Sequence, residues 1–243
     1  MKKQKISEPR FIAVGTLSLA SIEKLNPADL VQFTKDQIDV ACRAGLNYLK
    51  FPKRHLTQSQ YDEIDDYCRE REIGWFAAVW DEESIDAMRR FTTKLPNGTW
   101  GLMMEVPAEL SYDLDFVQKV RDSSDFLIIN TELSSQEEID SVIHTCSPDV
   151  VIHTGTSDLI YITYLRHCCV VDFQSTFRVG HSSVDADPII TALAASSGAT
   201  WFDYPSGDPQ ILTLVSKLRF TYEALTGYGI KTLSKSAKAR RKA

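Results

Sequence analysis

DFLIINTELSSQEEIDSVIHTCSPDVVIH, residues 125–153, decides the fold. It opens on one short apolar run, DFLIIN (125–130), and closes on another, DVVIH (149–153), each of strand length. Between them Ser135-Gln-Glu-Glu138 has the spacing of a capping box, in which the first and fourth side chains bond each other's backbone amides. Ile139, Val142 and Ile143 follow at helical spacing. A strand, a helix and a second strand buried along its whole length describe a parallel crossover, because parallel strands cannot be joined by a tight turn and both faces of their sheet become covered.

The same alternation extends in both directions. Further strand candidates are RFIAVG (10–15), LNYLKF (46–51), GWFAAVW (74–80), TWGLMMEV (99–106), FRVGHS (177–182) and ATWFDY (199–204), giving eight in all. The helical stretches between them carry their own markers. Val31, Thr34, Ile38, Ala41 and Cys42 share one face, and Thr57-Gln-Ser-Gln60 is a second capping box. Asp208-Pro209 reads as N-cap and first residue of a last helix bearing Ile211, Val215, Leu218, Tyr222 and Leu225. Eight strand–helix units fit a single-domain closed (β/α)8 TIM barrel. A doubly wound open sheet is the alternative, but the turn after the first strand has one glycine and no dinucleotide fingerprint. The domain reading is a basic extension over 1–9, the barrel over 10–228, and a basic, disordered tail over 229–243. The segment 158–174 reads as one helix followed by a further short strand.

Composition narrows the class. With 43% hydrophobic and 25% charged residues the chain reads as a soluble globular protein. No apolar stretch is long enough to cross a bilayer, and no apolar signal core follows MKKQKISEPR, so the expectation is a cytoplasmic protein with no membrane partner. The five cysteines show no paired spacing and read as buried thiols. KKQK (2–5) and KTLSKSAKARRKA (231–243) hold nine of the 27 basic residues and no acidic one. The body is therefore more acidic than the overall charge of −6, which opposes nucleic-acid binding.

A barrel of this kind carries its active site at the C-terminal ends of the strands. The candidates there are Lys50, Asp81, Glu105 and Glu109, Asn130, His153, His181 and Ser182, and Asp203. Each has a plainer role. Lys50 can snorkel to solvent over its apolar stem, Asp81 can cap the helix begun by Glu82-Glu83, and a lone histidine is more often a hydrogen-bonded structural residue.

RFIAVG, AGLNYLKF, LTQSQYDEIDDYCREREIGWFAAVWDEESID, VPAELSYDLDFVQKV, SSQEEID and FRVGHSS, in this order, resemble the barrel of the N-acetylneuraminate (sialic acid) synthase family over about residues 10–220. The resemblance implies condensation of phosphoenolpyruvate with an N-acetylated mannose-type amino sugar in sialic acid biosynthesis, assisted by a divalent metal, manganese or magnesium. It implies a phosphoenolpyruvate-binding role for Lys50, with Ser182 matching a further substrate-binding residue and Glu109 and Asp81 matching catalytic acids; Asn130 and Glu105 join the substrate-binding candidates from their strand ends alone. The family's usual dimer makes a homo-oligomer the expectation.

Departures from the pattern are equally specific. The family's first-strand glutamate and following Asn-His turn fall at Ala13 and Leu17-Ser18, and its strand-four lysine falls at Met104 or Glu105. Its two metal-binding histidines fall at Val184 and Pro205, so His181 and Asp203 are the candidates for a shifted metal site. The family's C-terminal antifreeze-like domain is expected to be missing. Two other readings follow from these departures: a non-catalytic barrel that binds a sugar or a partner, and a lyase using Lys50 as a Schiff-base amine.

Overall fold

The computed structural model describes residues 11–53, 56–154, 177–182, 187–206 and 213–219. Ten strands are present among the described residues: β1 (Ile12–Thr16), β2 (Tyr48–Phe51), β3 (Gly74–Ala78), β4 (Thr93–Lys94), β5 (Trp100–Gly101), β6 (Met103–Val106), β7 (Phe126–Asn130), β8 (Val150–Thr154), β9 (Arg178–Ser182) and β10 (Trp201–Pro205). Eight of them close a parallel barrel in the order β1-β10-β9-β8-β7-β6-β3-β2, the expected (β/α)8 architecture, and β4 pairs only with β5. The helices described are α1 (Leu19–Ile22), α2 (Pro27–Ala44), α3 (Gln58–Glu70), α4 (Glu82–Met88), α5 (Leu114–Ser123), α6 (Gln136–Cys146), α7 (Pro188–Ser196) and α8 (213–219).

Local chemistry sets the helix ends. The capping boxes at Thr57–Gln60 and Ser135–Glu138 both form, opening α3 and α6. Helix α2 ends on Gly45, whose φ of 72° is the left-handed conformation that glycine adopts without a Cβ clash. Thr34, Ile38 and Ala41 are buried on its inner face as expected. Leu214, Val215 and Leu218 of α8 are buried, in keeping with the apolar spacing of that segment. The 1–9 extension, segment 158–174, the Asp208-Pro209 cap and the 229–243 tail lie outside the described residues, and the three described cysteines, Cys42, Cys68 and Cys146, are free thiols.

Alternation along the strands sorts side chains into two cores. Ala13, Leu49, Ala77, Met104, Leu127, Ile129, Val151, Val179 and Phe202 point outward and join the layer beneath the helices. Ile12, Val14, Tyr48, Phe76, Met103, Phe126, Ile128, Val150, Ile152 and Trp201 fill the barrel interior. There Trp201 stacks on Tyr48 and Phe126, with ring centroids 5.6 and 6.0 Å away. Gly180 of β9 makes room for this ring: a Cβ on it would lie 2.9 Å from Ile152 Cγ1 and 3.3 Å from the Trp201 Cβ.

One expected strand is divided. TWGLMMEV (99–106) splits at Leu102 into β5 and the barrel strand β6. The chain turns back at Gly98, with φ of 87°, so Trp100 and Gly101 pair antiparallel with Lys94 and Thr93 rather than with the barrel. The Asp125 carboxylate then accepts the Leu102 amide at 2.8 Å and redirects the chain into β6. This hairpin seals the N-terminal end of the barrel: Leu95 joins the interior core, and the Tyr48 hydroxyl donates to the Lys94 carbonyl at 2.7 Å.

Candidate active site at the barrel mouth

Lys50 is the third residue of β2 and shares the inward face with Tyr48, one layer nearer the C-terminal end. It does not snorkel, being only 6% exposed. The ammonium donates to Glu105 Oε1 of β6 at 3.1 Å and to Asp203 Oδ2 of β10, and the Thr16 hydroxyl of β1 donates to the other Asp203 oxygen. Four strands thus bring one cation, two carboxylates and a hydroxyl into the uppermost layer of the barrel interior. Ser182 stands opposite Asp203 in the β9–β10 ladder and is half-buried.

This arrangement settles which strand-four residue faces the lysine. Met103 and Glu105 point inward and Met104 outward, so the side chain meeting Lys50 is a carboxylate. Where the resemblance places a second cation, the site carries an ion pair. With all three groups ionised the cluster bears one net negative charge.

The electrostatics follow from burial. Desolvation favours the uncharged form of Lys50, but attraction to Asp203 and Glu105 and the hydrogen bonds to both outweigh it, and its pKa is raised above the ordinary value. The group is a protonated ammonium at neutral pH. This corrects the Schiff-base reading, which needs a free amine. Glu105 is pushed up to about 7, chiefly by burial and further by Asp203, against the opposing pull of Lys50. Its second oxygen, Oε2, is buried with no hydrogen-bond partner among the described residues. Such an oxygen is more easily left uncharged than solvated, so Glu105 takes up a proton at the upper edge of the neutral range.

The other candidates are placed differently. His181 and Asp203, proposed as a shifted metal pair, do not meet. His181 shares the outward parity of Val179 and lies beside Phe202 in the layer under the helices, whereas Asp203 faces the interior. His153 is its register partner on β8 and shares that outward parity, with the Thr131 hydroxyl 2.7 Å from Nδ1. Desolvation lowers both imidazoles, His153 to about 3 with a further contribution from His181, and His181 to about 4. They are neutral, buried structural groups. Asp81 is the N-cap of α4, its Oδ1 accepting the Ser84 amide at 2.7 Å while the Ser84 hydroxyl completes a capping box. Glu109 is exposed on a 3-10 turn, Ala108–Leu110, after β6. Asn130 ends β7 half-buried and accepts the Glu132 amide at 3.1 Å, which shapes the following turn.

The implied divalent metal finds no matching donor set here. Among the described residues no three His, Cys, Asp or Glu side chains gather as an ion would require. Asp203, the acid nearest such a role, has its oxygens committed to Lys50 and Thr16. Thr16 escaped the sequence reading altogether. The available signal was its position two residues beyond the inward pair Ile12 and Val14.

Fold and site together define a (β/α)8 barrel with a buried charge cluster at the C-terminal mouth, the end at which such barrels hold their active sites. The family model of the NeuB family matches residues 28–203, and the chain belongs to that family. No curated protein matches it significantly in sequence. Among solved structures, the N-acetylneuraminic acid (sialic acid) synthetase of Leptospira borgpetersenii serovar Hardjo-bovis, in complex with citrate, is 14% identical with a TM-score of 0.74, covering 96% of this chain and 90% of that one. The spore coat polysaccharide biosynthesis protein SpsE of Bacillus subtilis is 15% identical with a TM-score of 0.72, covering 93% and 72%. A truncated 3-deoxy-D-arabino-heptulosonate 7-phosphate synthase of Thermotoga maritima is 10% identical with a TM-score of 0.65, covering 88% and 87%. At these identities the likeness is one of fold. No described helix is long and apolar enough to cross a membrane.

Proposed function

We propose that the protein carries out a sialic acid synthase-like condensation of phosphoenolpyruvate with the open-chain form of an N-acetylated mannose-type sugar. The observation that carries this reading is Lys50, a protonated cation held at the mouth of a NeuB-family barrel by carboxylates from two other strands, one of them anchored in turn by the Thr16 hydroxyl of a third. In the reaction the enol carbon bonds to the aldehyde carbon, water adds to the resulting cationic carbon, and phosphate leaves. Lys50 neutralises an anionic group of phosphoenolpyruvate, exchanging Glu105 for the ligand while Asp203 and Thr16 keep its ammonium in place. Glu105, protonated near neutral pH and 3.1 Å from Lys50, is the acid positioned to give a proton to the aldehyde oxygen. Ser182 and Asn130 are hydrogen-bonding contacts on the neighbouring strand ends, and Glu109 stands exposed on the turn after β6 as a further polar contact. No step is routed through a metal, because the described donors do not fit one.

A second reading, a non-catalytic barrel that binds a sugar or a partner, is favoured by one observation: Lys50 is already neutralised by two carboxylates. Phosphate release from phosphoenolpyruvate, measured with and without N-acetylmannosamine and with and without manganese, separates the two. Sugar-dependent release that disappears in Lys50→Met supports condensation. Sugar binding with no release under any condition supports the second reading.

A further inference from the structure

At the opposite end of the barrel, a cleft of about 370 Å³ opens between the C-terminal half of α3 and the β4–β5 hairpin. Its volume lies within the range of small-molecule sites. Trp75, 4% exposed, forms part of its wall, and Trp100, 58% exposed, stands at its edge. The polar groups are held in order. Arg69 lies over the Trp100 ring at 4.7 Å, with its Nε donating to Asp65 Oδ2 at 2.8 Å and an Nη to the Thr92 carbonyl at 3.1 Å. Asp65 Oδ1 accepts the Trp75 indole N–H at 2.8 Å. Glu72 and Lys94, both exposed, are the other charged residues of the lining.

We infer that this cleft binds a neutral, hydroxyl-rich ring: a sugar unit, either free or at the end of a glycan. The donor and acceptor inventory selects that chemistry. Asp65 and Glu72 only accept hydrogen bonds, while Arg69 and Lys94 only donate them. An anion meets two carboxylates and a cation meets two basic groups, whereas a hydroxyl both donates and accepts and so pairs with either kind. The charges also cancel, removing any net attraction for an ion. Arg69 covers one face of the Trp100 ring, and the face left open at 58% exposure is a flat apolar surface with a polar rim, which suits a ring having apolar C–H faces and hydroxyl edges. The fold does not need that tryptophan to be exposed: Leu95, in the same hairpin, does the sealing of the barrel. The site does not depend on the reading at the mouth.

Saturation-transfer NMR on the full chain tests it, with glucose, mannose, galactose and N-acetylglucosamine as probes and adenosine as the flat heterocyclic control. A glycan array carrying the same sugars as chain ends distinguishes a free from a chain-terminal ligand. The expected result is sugar binding in the millimolar range or tighter on at least one arm, weakened at least tenfold by Trp100→Ala and partly restored by Trp100→Phe. Trp100 is exposed, so circular dichroism of both variants should match the wild type. Three outcomes overturn the inference: no sugar bound on either arm, sugar binding unaffected by Trp100→Ala, or adenosine bound in preference to every sugar.

Discussion

Lys50 lies in the barrel interior because β2 alternates: Tyr48 and Lys50 face inward while Leu49 and Phe51 face the helices. Burying an ammonium demands counter-charges, and Glu105 and Asp203 supply them. Lys50→Met removes the cation and leaves two carboxylates in a buried layer, and should destabilise the protein by about 3–5 kcal/mol in urea unfolding at pH 8. The loss should shrink at pH 5, where Glu105 is protonated. Glu105→Gln should act in the other direction. The folded state holds the Glu105 proton more tightly than the unfolded chain, so ionising it costs wild-type stability as pH rises from 4.5 to about 7. The glutamine variant should therefore gain on wild type across that window, read from paired denaturation curves. Lys50 was legible in the sequence as a strand-end candidate. Glu105 and Asp203 were legible as candidates at the same mouth, but their pairing with Lys50 was not, since nothing in a single chain reveals that residues 50, 105 and 203 meet across a closed sheet.

Elements were legible wherever a local rule governs them. Both capping boxes form as their spacing demands, and Asp81 follows the same rule, which is why a residue suggested as a catalytic acid is a helix cap. Asp81→Ala should cost about 1 kcal/mol of stability, while Asp81→Asn, which keeps the accepting oxygen, should cost little. If the side chain acts only as a cap, turnover should be preserved in Asp81→Asn. The β4–β5 hairpin was not legible, because TWGLMMEV is continuously strand-like and the break at Leu102 depends on Asp125, 23 residues further on. Gly180 belongs to this scale too. Gly180→Ala places a methyl against Ile152 and Trp201 inside the barrel and should destabilise by about 1–3 kcal/mol, measurable by thermal unfolding.

For the whole molecule, the alternation of buried runs with capped helices was enough to indicate a closed barrel, because parallel strands with both faces covered leave few architectures. The same alternation explains why His181 and Asp203 face apart: Asp203 is the register partner of Ser182, and Ser182 and His181 are neighbours in sequence and so lie on opposite faces of the barrel wall. Two imidazoles buried in the outer layer also make the fold sensitive to acid. Their folded pKa values, about 3 and about 4, lie below the ordinary histidine value of 6.5, so the unfolded chain binds more protons as pH falls through that interval. Stability from this source is complete at neutral pH and lost on acidification, opposite in sign to the contribution of Glu105. His181→Phe should flatten the acid limb of a stability–pH curve. The account rests most heavily on Lys50 as an anion-binding cation, and a calorimetric titration of phosphoenolpyruvate into wild type and Lys50→Met, with and without manganese, tests it directly. It predicts saturable binding to wild type that disappears in a Lys50→Met protein shown to be folded; equal binding to the two proteins, or none to wild type in either condition, would contradict it.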